Sequence, residues 1–171
     1  MNTKILLERR SIRKYKDTPI PVGILDKVLE AGTFAPTGMN RQTPIIVAVT
    51  NKEIRDLLER ENAKIMGDES KKPFYGAPVV LTVFYTNEVY TSFEDACLVM
   101  GNLLNAAYAE GLGSCWIHRA KETFETPIGK ELMKKWGIPE NYIGVGNCIL
   151  GYADETPEAR PRKENYIIKV D

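Results

Sequence analysis

The stretch 8–16 carries the clearest chemical signal in the sequence, because it concentrates positive charge around one hydroxyl. Its basic residues are Arg9, Arg10, Arg13, Lys14 and Lys16, and Ser11 lies between Arg10 and Arg13. Surface helices usually mix charges three and four residues apart, whereas these cations repel one another. Guanidinium groups donate in a planar fork and serine adds a short donor, a combination that suits a phosphate. The alternative is a solvated helix end, where basic residues are also favourable.

A second basic cluster lies near the other end of the chain, where Arg160, Arg162 and Lys163 follow a proline-rich segment. Taken alone, this cluster could be a solvated tail. The chain as a whole has a formal net charge of +0. Two arginine clusters in a neutral chain make more sense if they converge on one polyanion.

The loop 36–44 is polar and too interrupted by proline and glycine for a regular element. It contains Thr37, Asn40 and Gln42 between Pro36 and Pro44. Amide side chains present both a donor and an acceptor, which suits the edge of a flat heterocycle. An ordinary connection between a helix and a strand is the alternative interpretation.

Cysteine and histidine contribute little chemistry of their own. The isolated cysteines, with no C-x-x-C pair, are Cys97, Cys115 and Cys148. They suit reduced, partly buried thiols. Cys115 precedes two large apolar residues, which favours a core position, although a thiol redox sensor remains an alternative. His118 is the single histidine, so a Ser-His-Asp triad or a histidine-rich metal site has little support and the chemistry is expected to need a cofactor.

Two glycine patterns, at 111–116 and 144–151, do not fit the known nucleotide-binding motifs. Neither is a G-x-G-x-x-G sequence between a strand and the helix that follows it. We expect these glycines to end a helix and to allow close packing of strands.

The composition indicates an ordinary globular protein. At 171 residues, with 43% hydrophobic and 27% charged residues, the chain is expected to form one domain over 1–171. The neutral charge argues against a nucleic-acid partner or a membrane surface. There is neither an apolar run of about 20 residues nor a signal-like N-terminus, so we expect no membrane span and a cytoplasmic protein.

Hydrophobic periodicity predicts alternating helices and strands, hence a layered sheet protein of the α/β or α+β class. A short N-terminal helix, capped by Asn2 or Thr3 with Ile5 and Leu6 inward, delivers the basic stretch. A capping box at 91–94 opens a long central helix, buried on several sides. Further helices are predicted at 22–34, 53–65 and 128–136. Buried strands are predicted at 45–49 and 77–85, a short strand at 112–117, an apolar strand at 143–150 and a weak edge strand at 166–170. The segment 66–72 is expected to be a charged connector or lid.

Five motifs, in this order, resemble those of the FMN-dependent nitroreductase family over almost the whole chain. They are Arg9-Arg10-Ser11-x-Arg13, Ala35-Pro36-Thr37-x-x-Asn40-x-Gln42, Tyr75-x-Ala77-Pro78, Glu110-Gly111-Leu112-Gly113-Ser114-Cys115-Trp116-Ile117, and Gly151-Tyr152 ahead of Pro157-x-x-Arg160-Pro161-Arg162-Lys163. Each motif is weak alone, and the ordered set is strong.

The resemblance implies an α+β fold with a mixed β-sheet flanked by helices. It also implies a homodimer with FMN at the subunit interface, the central helix in that interface and the C-terminal segment extending onto the partner. The implied cofactor residues of the basic stretch are Arg9, Arg10, Ser11 and Arg13. Those of the other subunit's loop are Pro36, Thr37, Gly38, Asn40 and Gln42. The strand end contributes Trp116, Ile117, His118 and Arg119, and the late basic pair Arg160 and Arg162 closes on the phosphate.

The implied activity is transfer of hydride from NADH or NADPH through flavin N5 to an electron-poor acceptor such as a nitroaromatic or a quinone. Donor and acceptor use the same place in turn, and no protein residue is required as acid or base. Alternatives are a specialised member, such as a reductive dehalogenase or a flavin-modifying enzyme, and a non-catalytic flavin-binding regulator. The sequence departs from the family in lacking an aromatic after Gln42 and in placing His118 beside the flavin. Asn62 and Lys72 are candidates for one further contact.

Overall fold

The computed structural model describes residues 3–170 and places four strands in one sheet. The strands are β1 (Ile45–Val49), β2 (Val79–Thr86), β3 (Gly113–Ile117) and β4 (Tyr142–Gly151). Their order is β1-β2-β4-β3, and each neighbouring pair is antiparallel. A parallel bridge between Ser11 and Ser114 adds the basic stretch to the outer edge of β3. That bridge is the only parallel pairing within residues 3–170, so the sheet is mixed at this edge alone.

Helices cover both faces of the sheet, which confirms the predicted α+β class. They are α1 (Lys4–Glu8), α2 (Val22–Thr33), α3 (Lys52–Met66), α4 (Ser92–Ala109), α5 (Ala120–Glu125) and α6 (Pro127–Lys135). One core packs α2 and α4 against the sheet through Val28, Leu81 and Leu103. The other core packs α3, α5 and α6 on the opposite face through Leu58, Phe84 and Phe124. Within the described part of the chain, no helix is long and apolar enough to cross a membrane.

The two inner strands, β2 and β4, are clearly predicted by the sequence because they are buried on both faces. Seven of the eight residues of β2 are buried, as are the last eight of β4. A strand covered on both faces reads as a continuous apolar run rather than an alternating one. The strand predicted at 45–49 is confirmed in its bounds, but β1 is an edge strand and only Val49 is buried. Burial was therefore overestimated for β1, because its outer side has no neighbouring strand.

The central helix α4 is present, although the predicted capping box at its start is wrong. The Thr91 side chain makes no cap hydrogen bond and instead donates to Asp95 at 3.2 Å. Along α4, Ala96, Met100 and Leu103 are fully buried. Its Phe93 and Leu98 side chains are about half exposed, at 49% and 48%. The placement of α4 in a dimer interface remains a prediction.

Four further details differ from the sequence-based expectations. In α1 the Leu6 side chain is 63% exposed rather than inward, and Thr3 makes no side-chain cap. Asn2, the other cap candidate, lies outside the described residues. The short helix α5 was not predicted. The segment 166–170 is exposed and forms no strand, so its pairing with a partner's sheet also remains a prediction.

Candidate active site

The basic stretch is held against the sheet by backbone hydrogen bonds on both sides of Arg13. The Ile12 N–H donates to the Ser114 carbonyl at 2.9 Å, and the Lys16 N–H donates to the Tyr152 carbonyl at 2.9 Å. The stretch is therefore an extended edge segment beyond the end of α1. Its position is set by its hydrogen bonds to β3 and to the residue directly after β4. No local pattern in residues 8–16 specifies that position.

Two glycines make room for this segment. An added Cβ at Gly113 would lie 2.8 Å from Ile12 Cγ1, and one at Gly151 would lie 2.6 Å from Tyr15 Cδ1. Real Cβ atoms do not approach other carbons so closely, so any larger residue would displace the basic stretch. The expectation that these glycines serve close packing is supported at both positions.

The three arginines of the stretch have different environments. Arg9 is partly buried, and its Nη1 has no hydrogen-bond partner among the described residues. Arg10 Nη1 donates to the carbonyls of Leu7 at 2.7 Å and Arg9 at 2.8 Å. The exposed Arg13 lines a cleft. A buried guanidinium nitrogen without an acceptor is costly, so Arg9 is suited to receive an external anion.

The cleft beside Arg13 has a volume of about 380 Å³ and brings together two of the predicted groups. Its floor is the end of β3 and the turn after it. Its lining residues are Arg13, Met66, Lys71, Lys72, Pro73, Tyr75, Cys115, Trp116, Ile117, His118 and Arg119. Thus Arg13 and the whole predicted run Trp116, Ile117, His118 and Arg119 share one cavity in a single chain.

The turn at the end of β3 is fixed by a residue from α3. Asn62 is fully buried, and its Nδ2 donates to the His118 carbonyl at 2.7 Å. The next residue, Arg119, has a left-handed backbone with φ of 74° and is the N-cap of α5. Such a conformation is uncommon for a residue with a side chain, so the surrounding contacts must hold it. Asn62 therefore positions the cleft without lining it, whereas the other candidate, Lys72, lines the cleft directly.

The polar loop lies outside this cleft in the same chain. Thr37 and Gln42 line a different cavity, next to α2 and β1. Asp95 of α4 anchors the loop, because its Oδ1 accepts the Gly38 N–H at 2.9 Å. The loop is closed internally by Gln42, whose backbone N–H donates to Thr37 Oγ1 at 3.1 Å. The remaining predicted loop residues, exposed beside these contacts, are Pro36 and Asn40.

The late basic pair is not brought to the basic stretch either. Arg160 and Arg162 are exposed, and Arg162 Nη2 donates to the Arg160 carbonyl at 2.7 Å. The segment that leads to them is nevertheless anchored there, because Lys14 and Asp154 form an ion pair at 2.9 Å. Their shared hydrogen bond raises the pKa of Lys14 and lowers the pKa of Asp154. Glu155 also accepts a hydrogen bond from the Arg13 backbone N–H.

The two buried thiols next to the site do not form a pair. Cys115 faces the core that contains α5 and α6, whereas Cys148 faces the core that contains α4. Burial raises the pKa of the Cys148 thiol far above its usual range. Cys148 of β4 pairs in register with Trp116 of β3, the residue after Cys115. Because successive side chains of a strand point to opposite faces, the two thiols lie on opposite faces, and a disulfide between them would require rebuilding the sheet.

Several residues that build the site were not predicted from the sequence. They are the lining residues Lys71 and Tyr75, the loop anchor Asp95, and Glu155, which accepts the hydrogen bond of the Arg13 amide. The only available signal was the pair of lysines directly before Pro73, in the charged connector 66–72.

Sheet, helices and cleft together define an α+β protein with a cationic site at one sheet edge. The chain matches the model of the Nitroreductase family over residues 6–152, and it belongs to that family. Its structure is similar to the crystal structure of a nitroreductase with bound FMN from Bacteroides fragilis. The TM-score is 0.90, the identity is 26%, and the alignment covers 98% of this chain and 97% of that one.

The chain is also similar to curated proteins, of whose own length it covers 64% to 91%. An NADH dehydrogenase of Thermus thermophilus is 31% identical over 84% of this chain, which spans 64% of that protein. An NADPH-flavin oxidoreductase of Vibrio harveyi is 26% identical over 98% of this chain and 73% of that protein. An iodotyrosine deiodinase of Thermotoga neapolitana is 27% identical over 92% of this chain and 91% of that protein.

Proposed function

We propose that this chain is an FMN-dependent oxidoreductase that uses NADH or NADPH to reduce an electron-poor acceptor. The observation that carries the proposal is the buried, unpartnered Nη1 of Arg9, in the same basic stretch as the cleft residue Arg13 and in a chain of the nitroreductase family. FMN combines a phosphate with a flat, polar-edged ring. The described residues fit such a ligand, because Arg9 provides a guanidinium nitrogen that lacks an acceptor and Arg13 of the same stretch lines a cavity.

The residues that would hold FMN come from two copies of the chain. One copy would supply Arg9, Arg10, Ser11 and Arg13 together with the backbone of 116–119. The other would supply the polar-loop residues Pro36, Thr37, Gly38, Asn40 and Gln42. Arg160 and Arg162 would close on the phosphate. A homodimer is supported because the polar loop does not line the Arg13 cleft of its own chain. Thr37 and Gln42 of the loop line a different cavity.

Bound FMN would supply the redox chemistry, which is hydride transfer through N5 from the donor and two-electron reduction of a nitroaromatic or a quinone. The chain's own contribution is electrostatic and positional. Arg13 would stabilise negative charge at the edge of the cleft, and a fixed cation needs no reorganisation when that charge develops. Asn62 donates to the His118 carbonyl and so keeps the turn after β3 in place. The buried Cys115 and Ile117 would exclude water from the inner side of the cleft.

Purified protein tests this proposal directly. We expect flavin absorbance bands in the purified protein, or their appearance after incubation with FMN and removal of the free flavin. We also expect steady oxidation of NADH or NADPH when a quinone such as menadione is added. Protein that stays colourless after incubation with FMN would refute the proposal. Bound FMN without any oxidation of either donor would instead favour a non-catalytic flavin-binding regulator.

A second candidate is reductive dehalogenation, which the similarity to the Thermotoga deiodinase favours. In that reaction an aryl carbon–iodine bond is replaced by a carbon–hydrogen bond, iodide leaves, and two electrons and a proton are consumed. Incubation of the reduced protein with 3-iodo-L-tyrosine, followed by measurement of iodide, tests it. Turnover of nitroaromatics or quinones with no release of iodide would exclude this candidate.

A further inference from the structure

The first turn of α4 holds the polar loop at both of its ends. Near the start of the loop, Asp95 accepts the Gly38 N–H at 2.9 Å through Oδ1 and the Thr91 hydroxyl at 3.2 Å through Oδ2. Near its end, the hydroxyl oxygens of Thr43 and Ser92 lie 2.9 Å apart. Ser92 and Asp95 are buried, and buried polar side chains need such partners. The polar side chains of this turn therefore hold the loop instead of capping α4.

The loop also packs directly on this turn. An added Cβ at Gly38 would lie 2.3 Å from Thr91 Oγ1, which is closer than real Cβ atoms approach. The Gly38 N–H is already bonded to Asp95, so it is not free for a ligand. Gly38 therefore serves the contact with α4, and the neighbouring loop residues are left to face a cofactor.

Three residues of the loop have a strained backbone. Met39, Asn40 and Gln42 are left-handed, with φ of 55°, 53° and 52°. Asparagine tolerates this conformation, whereas methionine and glutamine adopt it rarely. Such conformations persist only where surrounding contacts hold them. The hydrogen bond from Gly38 to Asp95 lies directly before the first strained residue, so Asp95 fixes the backbone where the strain begins.

We propose that Asp95 is a positioning residue for the flavin bound by the partner subunit. This inference rests on the proposed function, in which the polar loop of one copy contacts FMN held by the basic stretch of the other. Asp95 does not touch the flavin and acts through the Gly38 N–H. A loop that is already ordered does not lose conformational freedom when the ligand binds, so its affinity for the ligand is higher.

Two substitutions at Asp95 test the hydrogen bond itself, with the Kd for FMN measured by quenching of flavin fluorescence. Asp95→Ala removes the acceptor, and we expect the Kd to rise about five- to tenfold. Asp95→Asn keeps a carbonyl oxygen for the Gly38 N–H and should change the Kd by less than about twofold. An unchanged Kd in Asp95→Ala would overturn the inference. So would an asparagine variant as weak as the alanine variant, because the charge would then matter rather than the acceptor.

Mixed dimers separate positioning of the partner's flavin from a loss of stability. Subunits with Arg9→Met and subunits with Asp95→Ala are co-expressed with different tags, and the mixed dimer is purified through both tags. One of its sites combines the altered basic stretch with the altered loop. The other site combines an unaltered basic stretch with an unaltered loop. Half of the sites should therefore bind FMN with the wild-type Kd, although neither parent dimer contains such a site.

The control replaces Asp95→Ala by Glu94→Ala at the exposed neighbouring position, whose own dimer should bind FMN with the wild-type Kd. If every site of the Arg9→Met and Asp95→Ala mixed dimer stays weak, Asp95 acts within its own subunit and the inference is overturned. Failure to form any dimer overturns it as well. Wild-type protein that does not bind FMN would refute the proposed function, and the inference with it.

Discussion

Arg9→Met separates a cofactor role for this arginine from a structural one. Arg9 Nη1 is buried without a partner in the described chain, and an unsatisfied buried donor costs about 1–3 kcal/mol. Methionine keeps much of the apolar stem and removes that donor. The apoprotein should therefore be as stable as the wild type, or more stable. A hydrogen bond to a charged group contributes about 1.5–3 kcal/mol, so the Kd for FMN should rise about 10- to 100-fold.

Two measurements on each protein check both halves of this prediction. Quenching of flavin fluorescence on titration gives the Kd for FMN. Urea unfolding with and without FMN gives the stabilisation by the ligand. At an FMN concentration 100 times the wild-type Kd, the wild type should gain about 2.7 kcal/mol. The variant should gain only about 0.4–1.4 kcal/mol at the same concentration.

The matched control is Arg60→Met, which removes an exposed arginine of α3. It should change neither the Kd nor the free energy of unfolding by more than about 0.5 kcal/mol. The reasoning is refuted if Arg9→Met lowers the stability of the apoprotein by more than about 1 kcal/mol while the Kd for FMN stays unchanged. Arg9 would then act within the fold rather than on the cofactor.

Two predictions concern the elements that position the site. Asp95→Ala removes the acceptor for a loop amide, so urea unfolding should show a loss of about 1–3 kcal/mol. The control is Glu94→Ala at the exposed neighbouring position, which should change the free energy of unfolding by less than about 0.5 kcal/mol. Equal losses in the two variants would contradict the role of Asp95 as the loop anchor. Gly113→Ala forces Ile12 to move and should cost about 1–3 kcal/mol and weaken FMN binding. The control Gly23→Ala lies on α2 where an added Cβ meets no other atom, so it should leave the free energy of unfolding unchanged or raise it. If Gly113→Ala changed neither the stability nor FMN binding, the close packing at Gly113 would be refuted.

The secondary structure of this chain could largely be predicted from the sequence. The apolar runs of β2 and β4 identify buried strands, and the spacing of Leu25 and Val28 identifies the inner face of α2. The short helix α5 escaped prediction because it has only six residues and directly follows Arg119, an N-cap whose backbone is left-handed. The orientation of Leu6 also failed, since five helical residues contain too little periodicity to define a face.

The residue types of the site were already determined by the sequence. Arginines around Ser11, a polar loop and a late basic pair indicate an anionic, flat ligand, because few other ligands need that combination. These are properties of side chains and their local spacing, which do not depend on the fold.

Only the tertiary structure decided which of these groups meet. Contacts between residues far apart in the chain depend on strand order, and here Ile12 pairs with Ser114 while Asn62 holds the carbonyl of His118. The same order separates the polar loop from the Arg13 cleft and brings Lys71 and Lys72 to its rim. No local pattern encodes these distances, since they result from packing two cores against one sheet.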